Sequence, residues 1–206
     1  KDATGSAGNG GPLTMEDATY TTAGPTAASA TITITGALAD NPADQIIVMA
    51  YDYRIPSSTT SGPVAPLDGD SNEHSIKQSI NSLVGRLPME KVILAMPFYG
   101  YEWETTSRQH KSSVVPNSGA LATYKRVKEL LENRNDVVKH WDAKAQSPWL
   151  VYEQSGAIKQ IYYEDEKSLA AKMEFVKNNN LGGVAVWALG YEGKYTNLWE
   201  IIAKNK

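Results

Sequence analysis

The ten residues Gln45–Arg54 (QIIVMAYDYR) constrain the fold of this chain more than any other stretch. Ile46, Ile47 and Val48 form an apolar, β-branched run bounded by Asp44 and by Pro56 with its following serines, which predicts a strand buried on both faces. Beyond Val48 the character changes. Met49, Tyr51 and Tyr53 alternate with Ala50 and Asp52, so strand periodicity puts two hydroxyls and a soft apolar side chain on one face. Parallel α/β sheets carry their working groups at strand C-termini, which makes a carboxylate between two tyrosines at this point a candidate site.

The same pattern returns twice. Lys91–Pro97 is a second apolar run, ending in the aromatics Phe98, Tyr99, Tyr101 and Trp103. Gly182–Trp187 is a third, ending in an indole and followed by the loop Gly190–Gly193. Between the first two, Ile76, Ile80, Leu83 and Val84 fall at helical spacing, predicting a helix over 73–86 that Asp70 or Ser71 caps and Pro88 stops. Strand, helix and strand at this length make a βαβ unit with parallel strands. Ser168–Asn179 repeats the helix before the third run, and Trp199–Lys204 closes the chain.

Two regions break the pattern. Residues 1 to about 30 are rich in Gly, Ala, Thr and Ser, and Gly5–Pro12 is expected to be flexible. Ala30–Thr35 alternates like a half-buried strand. Only about ten residues separate it from Gln45, too few for a parallel crossover, so it is expected to be an antiparallel or edge strand, or a replacement for something missing. Between the second and third runs lie a helical pattern over Leu121–Leu131 and three short strand patterns, Val137–Trp141, Trp149–Tyr152 and Ile158–Tyr163, the last two joined by a hairpin at Ser155 and Gly156. This predicts a small α+β insertion.

Composition excludes several classes. A net charge of −3 gives no electrostatic footprint for nucleic acid. With no cysteine there is no disulfide, thiolate metal site or cysteine nucleophile. His74, His110 and His140 lie too far apart in sequence for ligand spacing, and no metal or other cofactor is expected. No apolar run is long enough to span a bilayer and no signal peptide is visible. Because the chain opens on Lys1 rather than Met, it is expected to be processed or cut from something longer.

Taken in order, MAYDY at 49–53, PFYG at 97–100 and GGVAVW at 182–187 resemble strands six, seven and eight of glycoside hydrolase family 18, the chitinases and their relatives. The stretch from Trp141 through Trp149–Tyr152 to Tyr163–Leu169 resembles that family's insertion between strands seven and eight. Ser61–Pro66 and Phe98–Trp103 look closest to the bacterial branch of spore-cortex peptidoglycan N-acetylglucosaminidases. The resemblance covers roughly residues 40–206. It implies an α/β fold: a partial (β/α)8 barrel, strands six to eight, with the α+β insertion at about 102–165, behind a flexible or divergent segment 1–40.

For the site, the resemblance implies β-1,4-linked N-acetylglucosamine glycans, chitin or peptidoglycan, hydrolysed with retention through the sugar's own acetamido group. Tyr51 and Asp52 match the pair that holds that group. Met49 would pack beneath the sugar and Trp187 form the floor of the subsite, with Tyr53, Tyr99, Glu102 and Trp103 lining the cleft. Phe98 reads equally as cleft or core. An extracellular or cell-surface location is implied in the same way.

One departure limits the analogy. The family's general acid ends an Asp-x-x-Asp-x-Asp-x-Glu run, and none is present. Asp68–Glu73 has the letters, but Glu73 falls one residue late, which sends it to the opposite face. Glu102 and Glu192 are within reach of a cleft mouth without that constellation. Strands one to four are missing, and a full barrel needs ~250 residues. The chain therefore reads as a glycosidase half whose acid lies elsewhere, or as a non-catalytic, lectin-like binder of the same glycans. Its open sheet edge invites a missing N-terminal barrel half or self-association.

Overall fold

A computed structural model describes residues 43–205 and the backbones of two earlier strands, β1 (Ala18–Thr22) and β2 (Ala30–Ile34). Gly5–Pro12, expected to be flexible, lies outside the described residues. β1 and β2 pair antiparallel, Ala18 opposite Ile34 and Thr22 opposite Ala30. The alternation at Ala30–Thr35 thus belongs to an antiparallel strand, and its partner β1 falls in a stretch whose composition gives no strand signal.

The parallel layer has three strands in the order β10-β4-β3: β3 (Ile46–Val48), β4 (Val92–Pro97) and β10 (Gly183–Trp187). β4 is buried throughout because it has a strand on either side. Val92, Leu94, Met96 and Phe98 face the helices, packing with Ile76 and Ile80 of α1 (Ile76–Asn81), Leu169, Met173 and Val176 of α3 (Glu166–Asn178), and Leu198 of α4 (Asn197–Lys204).

Two expectations fail here. β3 is not buried on both faces: Ile46 and Val48 are half-buried, while Ile47 is 59% and Met49 64% exposed. β3 is an edge strand of this sheet, and on the face that Ile47 shares with Ile93 the central strand is buried at Ile93 and Ala95 while the edge leaves Ile47 and Met49 exposed. The helix is also shorter than 73–86, and its cap is Ser75, whose hydroxyl accepts the Gln78 N–H, rather than Asp70 or Ser71. Residues 70–73 form a turn instead, closed by Glu73 N–H on the Asp70 carbonyl, and the Glu73 carboxylate is held by Lys111 at 2.6 Å.

The second layer is a five-stranded antiparallel sheet, order β6-β5-β9-β8-β7. Its members are β5 (Tyr99–Thr105), β6 (Ala120–Thr123), β7 (Val138–Asp142), β8 (Ser147–Gln154) and β9 (Ala157–Tyr162). Sequence patterning marks only the last three. β8 and β9 join through Ser155 and Gly156, both at positive φ, as a tight hairpin requires. One face of this sheet packs on α2 (Tyr124–Asn133) through Leu150, Tyr152, Ile161, Val127 and Leu130. The other carries Tyr99, Tyr101, Trp103, Trp149 and Tyr162.

The segment 61–67, without regular structure, is buried between the layers. Ser61 donates its N–H to the Ser112 carbonyl and its hydroxyl to Gln160 Oε1, Leu67 N–H reaches the Ala145 carbonyl, and the Val64 carbonyl accepts from Tyr53 N–H. Backbone buried without sheet partners needs such substitutes.

Candidate functional site

Because β3, β4 and β10 are parallel, with Val48 opposite Leu94 and Trp187 opposite Pro97, their C-terminal ends lie together. Tyr51 and Asp52, Tyr99, and Trp187 follow those ends directly. Regular strand geometry stops at Val48, and Asp52 takes a left-handed φ of 61°. The alternation expected over 49–53 is therefore lost, and the three side chains assigned to one face separate. Met49 is left exposed. Tyr51 packs with its edge toward Tyr99, ring centroids 6.2 Å apart. Tyr53 turns into the core, donating to the Ser75 carbonyl and lying 2.5 Å from Ser79 Oγ. It is not with the other candidates, because the turn at Asp52 reverses its direction.

Asp52 is the convergence point. Tyr99 donates its hydroxyl to Asp52 Oδ1 at 2.7 Å and Tyr101 donates to the same oxygen at 3.0 Å. Burial, reinforced by the neighbouring carboxylate, pushes both phenols far above their ordinary value. They therefore stay protonated and available as donors through neutral and alkaline pH. Tyr51 is raised for the same reasons, burial first and Asp52 second. A second ring, Tyr191 from the loop after β10, stands edge-on to Tyr99 at 6.0 Å. Trp187, 54% exposed, completes the rim, its carbonyl accepting the Phe98 N–H at 2.7 Å.

Three of the expected cleft residues lie elsewhere. Trp103 is fully buried and donates its indole N–H to the Ile55 carbonyl. Glu102 is on the opposite face of β5, accepting from the Tyr152 hydroxyl and paired with Arg126 at 3.1 Å. Glu192 accepts from Gly190 N–H and the Trp199 indole. Phe98 belongs to the core, edge-on to Trp199. In a strand, residues 99, 101 and 103 share one face and 102 takes the other. That parity, applied to Phe98–Trp103, points to Tyr101, which motif matching passed over. Tyr191 carries no comparable signal.

The arrangement offers a carboxylate fixed by two phenols, a further phenol beside it and an accessible indole at the same rim. Such a set can accept an N–H or O–H from a ligand and lay an apolar ring face against a flat one. Among the described residues no cluster of three or more His, Asp or Glu side chains could hold a metal ion.

Comparison with known proteins agrees with these elements. YdhD of Bacillus subtilis (strain 168), named as a sporulation-specific glycosylase, is 27% identical over 146 residues, covering 70% of this chain and 31% of its own length. The cortical fragment-lytic enzyme of Bacillus anthracis is 21% identical over 166 residues, covering 79% and 34%. A family 18 N-acetylglucosaminidase from Paenibacillus barengoltzii superposes with a TM-score of 0.69 at 26% identity, over 82% of this chain and 51% of that one. The chain thus spans about a third of these curated relatives (31% and 34%) and about half of the solved chain (51%). The profile described as glycosyl hydrolases family 18 matches residues 16–192, starting upstream of the motifs that carry the resemblance in sequence. With most of its length inside that match and an α/β fold shared with the solved structure, the chain belongs to glycosyl hydrolase family 18.

Proposed function

We propose that residues 41–206 form the C-terminal half of a (β/α)8 barrel, with β3, β4 and β10 as its strands six to eight, the unit at about 102–165 as its insertion, and 1–40 as a divergent segment. The half barrel binds glycans containing β-1,4-linked N-acetylglucosamine. Tyr51 and Asp52 hold the acetamido group, and Trp187 lies against the sugar ring. The observation that carries this reading is the Asp52 carboxylate, held by Tyr99 and Tyr101 at the strand ends beside Tyr51 and the exposed Trp187.

The exposed edges of the parallel sheet support the partial-barrel reading. Ile47, Met49, Trp187 and Leu189 are all exposed large apolar side chains on or after its two edge strands. Those edges are where the remaining strands of a barrel pair. The proton donor for hydrolysis belongs to that other half. Within this chain Glu73 is tied to Lys111, Glu102 to Arg126 and Tyr152, and Glu192 to Trp199. The chain by itself is thus a binder in this reading, and an enzyme only with its complement. Glycans of this class place the protein outside the cell or on its surface.

Titration of the chain with chitotetraose, followed by tryptophan fluorescence, tests the reading, since Trp187 is an exposed indole at the rim. A saturable change that Asp52→Ala abolishes is expected. No change at concentrations several-fold above millimolar would overturn it.

A further inference from the structure

Asp52 is a non-glycine residue in the left-handed region, a conformation that aspartate enters more readily than most side chains and that its surroundings here hold in place. Three of the side chains that hold this turn are on one strand. Tyr99, Tyr101 and Trp103 project from the same face of β5. The first two donate to Asp52 Oδ1, and the third donates to the Ile55 carbonyl at 3.3 Å. β5 itself is held on both sides, by β6 and by β9, with Tyr101 opposite Tyr162. A single phenol would fix one distance and leave the carboxyl group free to rotate. Two phenols rooted two residues apart, about 7 Å along the strand, triangulate one oxygen.

We infer that Tyr101 is a positioning residue for Asp52. From the antiparallel sheet it locks the carboxylate so that Oδ1 is committed to the protein and Oδ2 alone is presented to a ligand donor. Tyr101 does not touch ligand in this arrangement. It acts through Asp52, while the rings of Tyr99 and Trp103, edge-on to it at 5.6 and 5.9 Å, hold it in place. The inference rests on the proposed glycan reading for its consequence, not for its geometry. It also gives the antiparallel sheet a role at the site besides walling it.

The test uses the intact chain labelled with ¹³C at the aspartate carboxyl carbons, the Asp52 signal being assigned by its loss in Asp52→Asn. A carboxylate that accepts O–H bonds shows an isotope shift at its carbon on transfer from H2O to D2O. Tyr101→Phe should remove roughly half of that shift, as Tyr99→Phe should, since each deletes one of two charge-assisted donors. An unchanged shift in a folded Tyr101→Phe protein overturns the inference. Should that variant fail to fold, 3-fluorotyrosine at position 101 is the substitute. A more acidic phenol strengthens the bond and enlarges the shift, and no enlargement overturns the inference equally.

Chitotetraose affinity is measured on the same proteins. It should fall about tenfold in Tyr101→Phe, and the melting temperature should fall as well, because the same hydrogen bond to a charged group is lost from the unliganded protein. If the parent chain does not bind the tetramer, the glycan reading fails, while the isotope shift still decides the clamp.

Discussion

Gly100 faces the Tyr162 carbonyl so closely that a Cβ on it would stand 1.7 Å from the oxygen. The oxygen belongs to the backbone at the end of β9, so no side-chain rotation relieves the contact. The glycine is what lets β5 lie flush against β9 between Tyr99 and Tyr101, the two residues that reach Asp52. Gly100→Ala should destabilise the protein by more than about 3 kcal/mol, as overpacking against fixed backbone does. Urea denaturation of the two proteins checks this, and a loss below about 1 kcal/mol would contradict the contact.

A buried ion pair ties the connection between β9 and α3 to α3 itself. Lys172 Nζ lies 2.7 Å from Glu164 Oε2 with both side chains inaccessible, and Glu164 Oε1 has no hydrogen-bond partner among the described residues. Burial raises the Glu164 carboxyl above the ordinary carboxylate range although Lys172 pulls it down, so desolvation outweighs the attraction. Lys172→Met alone should cost about 3–5 kcal/mol by stranding a carboxylate. The double variant Lys172→Met/Glu164→Leu should recover most of that loss. A double variant as unstable as the single would show that the pair contributes shape and not charge balance.

Acid should weaken the contact between the loop carrying His110 and the turn after β7. His110 Nε2 lies 3.0 Å from Asp142 Oδ2, and Oδ1 of the same carboxylate accepts N–H groups from Lys144 and Ala145. Burial works to raise the Asp142 carboxyl, but the His110 and Ala145 hydrogen bonds prevail and bring it down to about 2. A carboxyl depressed on folding contributes stability that is complete above its unfolded value near 4 and is lost as pH falls toward 2. His110→Ala should therefore lower the melting temperature at pH 7, and the gap between variant and parent should close between about pH 4 and pH 2. Thermal scans at fixed ionic strength measure this, and a gap independent of pH would contradict it.

Hydrolysis and binding should separate in the isolated chain. Release of 4-methylumbelliferone from its diacetylchitobiose conjugate should stay at background, because a positioned general acid supplies ~10²–10⁴ in rate and every glutamate weighed for that role is engaged elsewhere. Turnover that disappears in Asp52→Ala would mean that an acid is present after all. Trp187→Ala should weaken chitotetraose binding roughly tenfold, the scale of one lost ring stack. Its melting temperature should change little, since the indole is largely exposed.

The three parallel strands were legible because each is an apolar run long enough to stand out, and their common orientation followed from the helices between them. Asp52 and Tyr51 were legible as strand-end groups. β5 was not. Only Phe98 separates it from the end of β4, so Tyr99–Thr105 reads as the aromatic tail of a parallel strand and not as a new antiparallel one. With the strand unseen, its parity was unseen. The resemblance puts Glu102 and Trp103 at the cleft, whereas the strand sends Glu102 to the opposite face and buries Trp103 beside Tyr101. Tyr53 was misplaced for a different reason. Nothing in the letters of a non-glycine residue announces a left-handed turn, and one at Asp52 redirects everything after it.

The buried segment 61–67 bears on how this chain reaches its native state. It has no helix or strand to form early on local contacts, and its hydroxyl anchor, Ser61 on Gln160, spans 99 residues of sequence. Closing a loop of that length costs chain entropy before any contact returns it. Rich in distant pairings, such a topology folds slowly for its size.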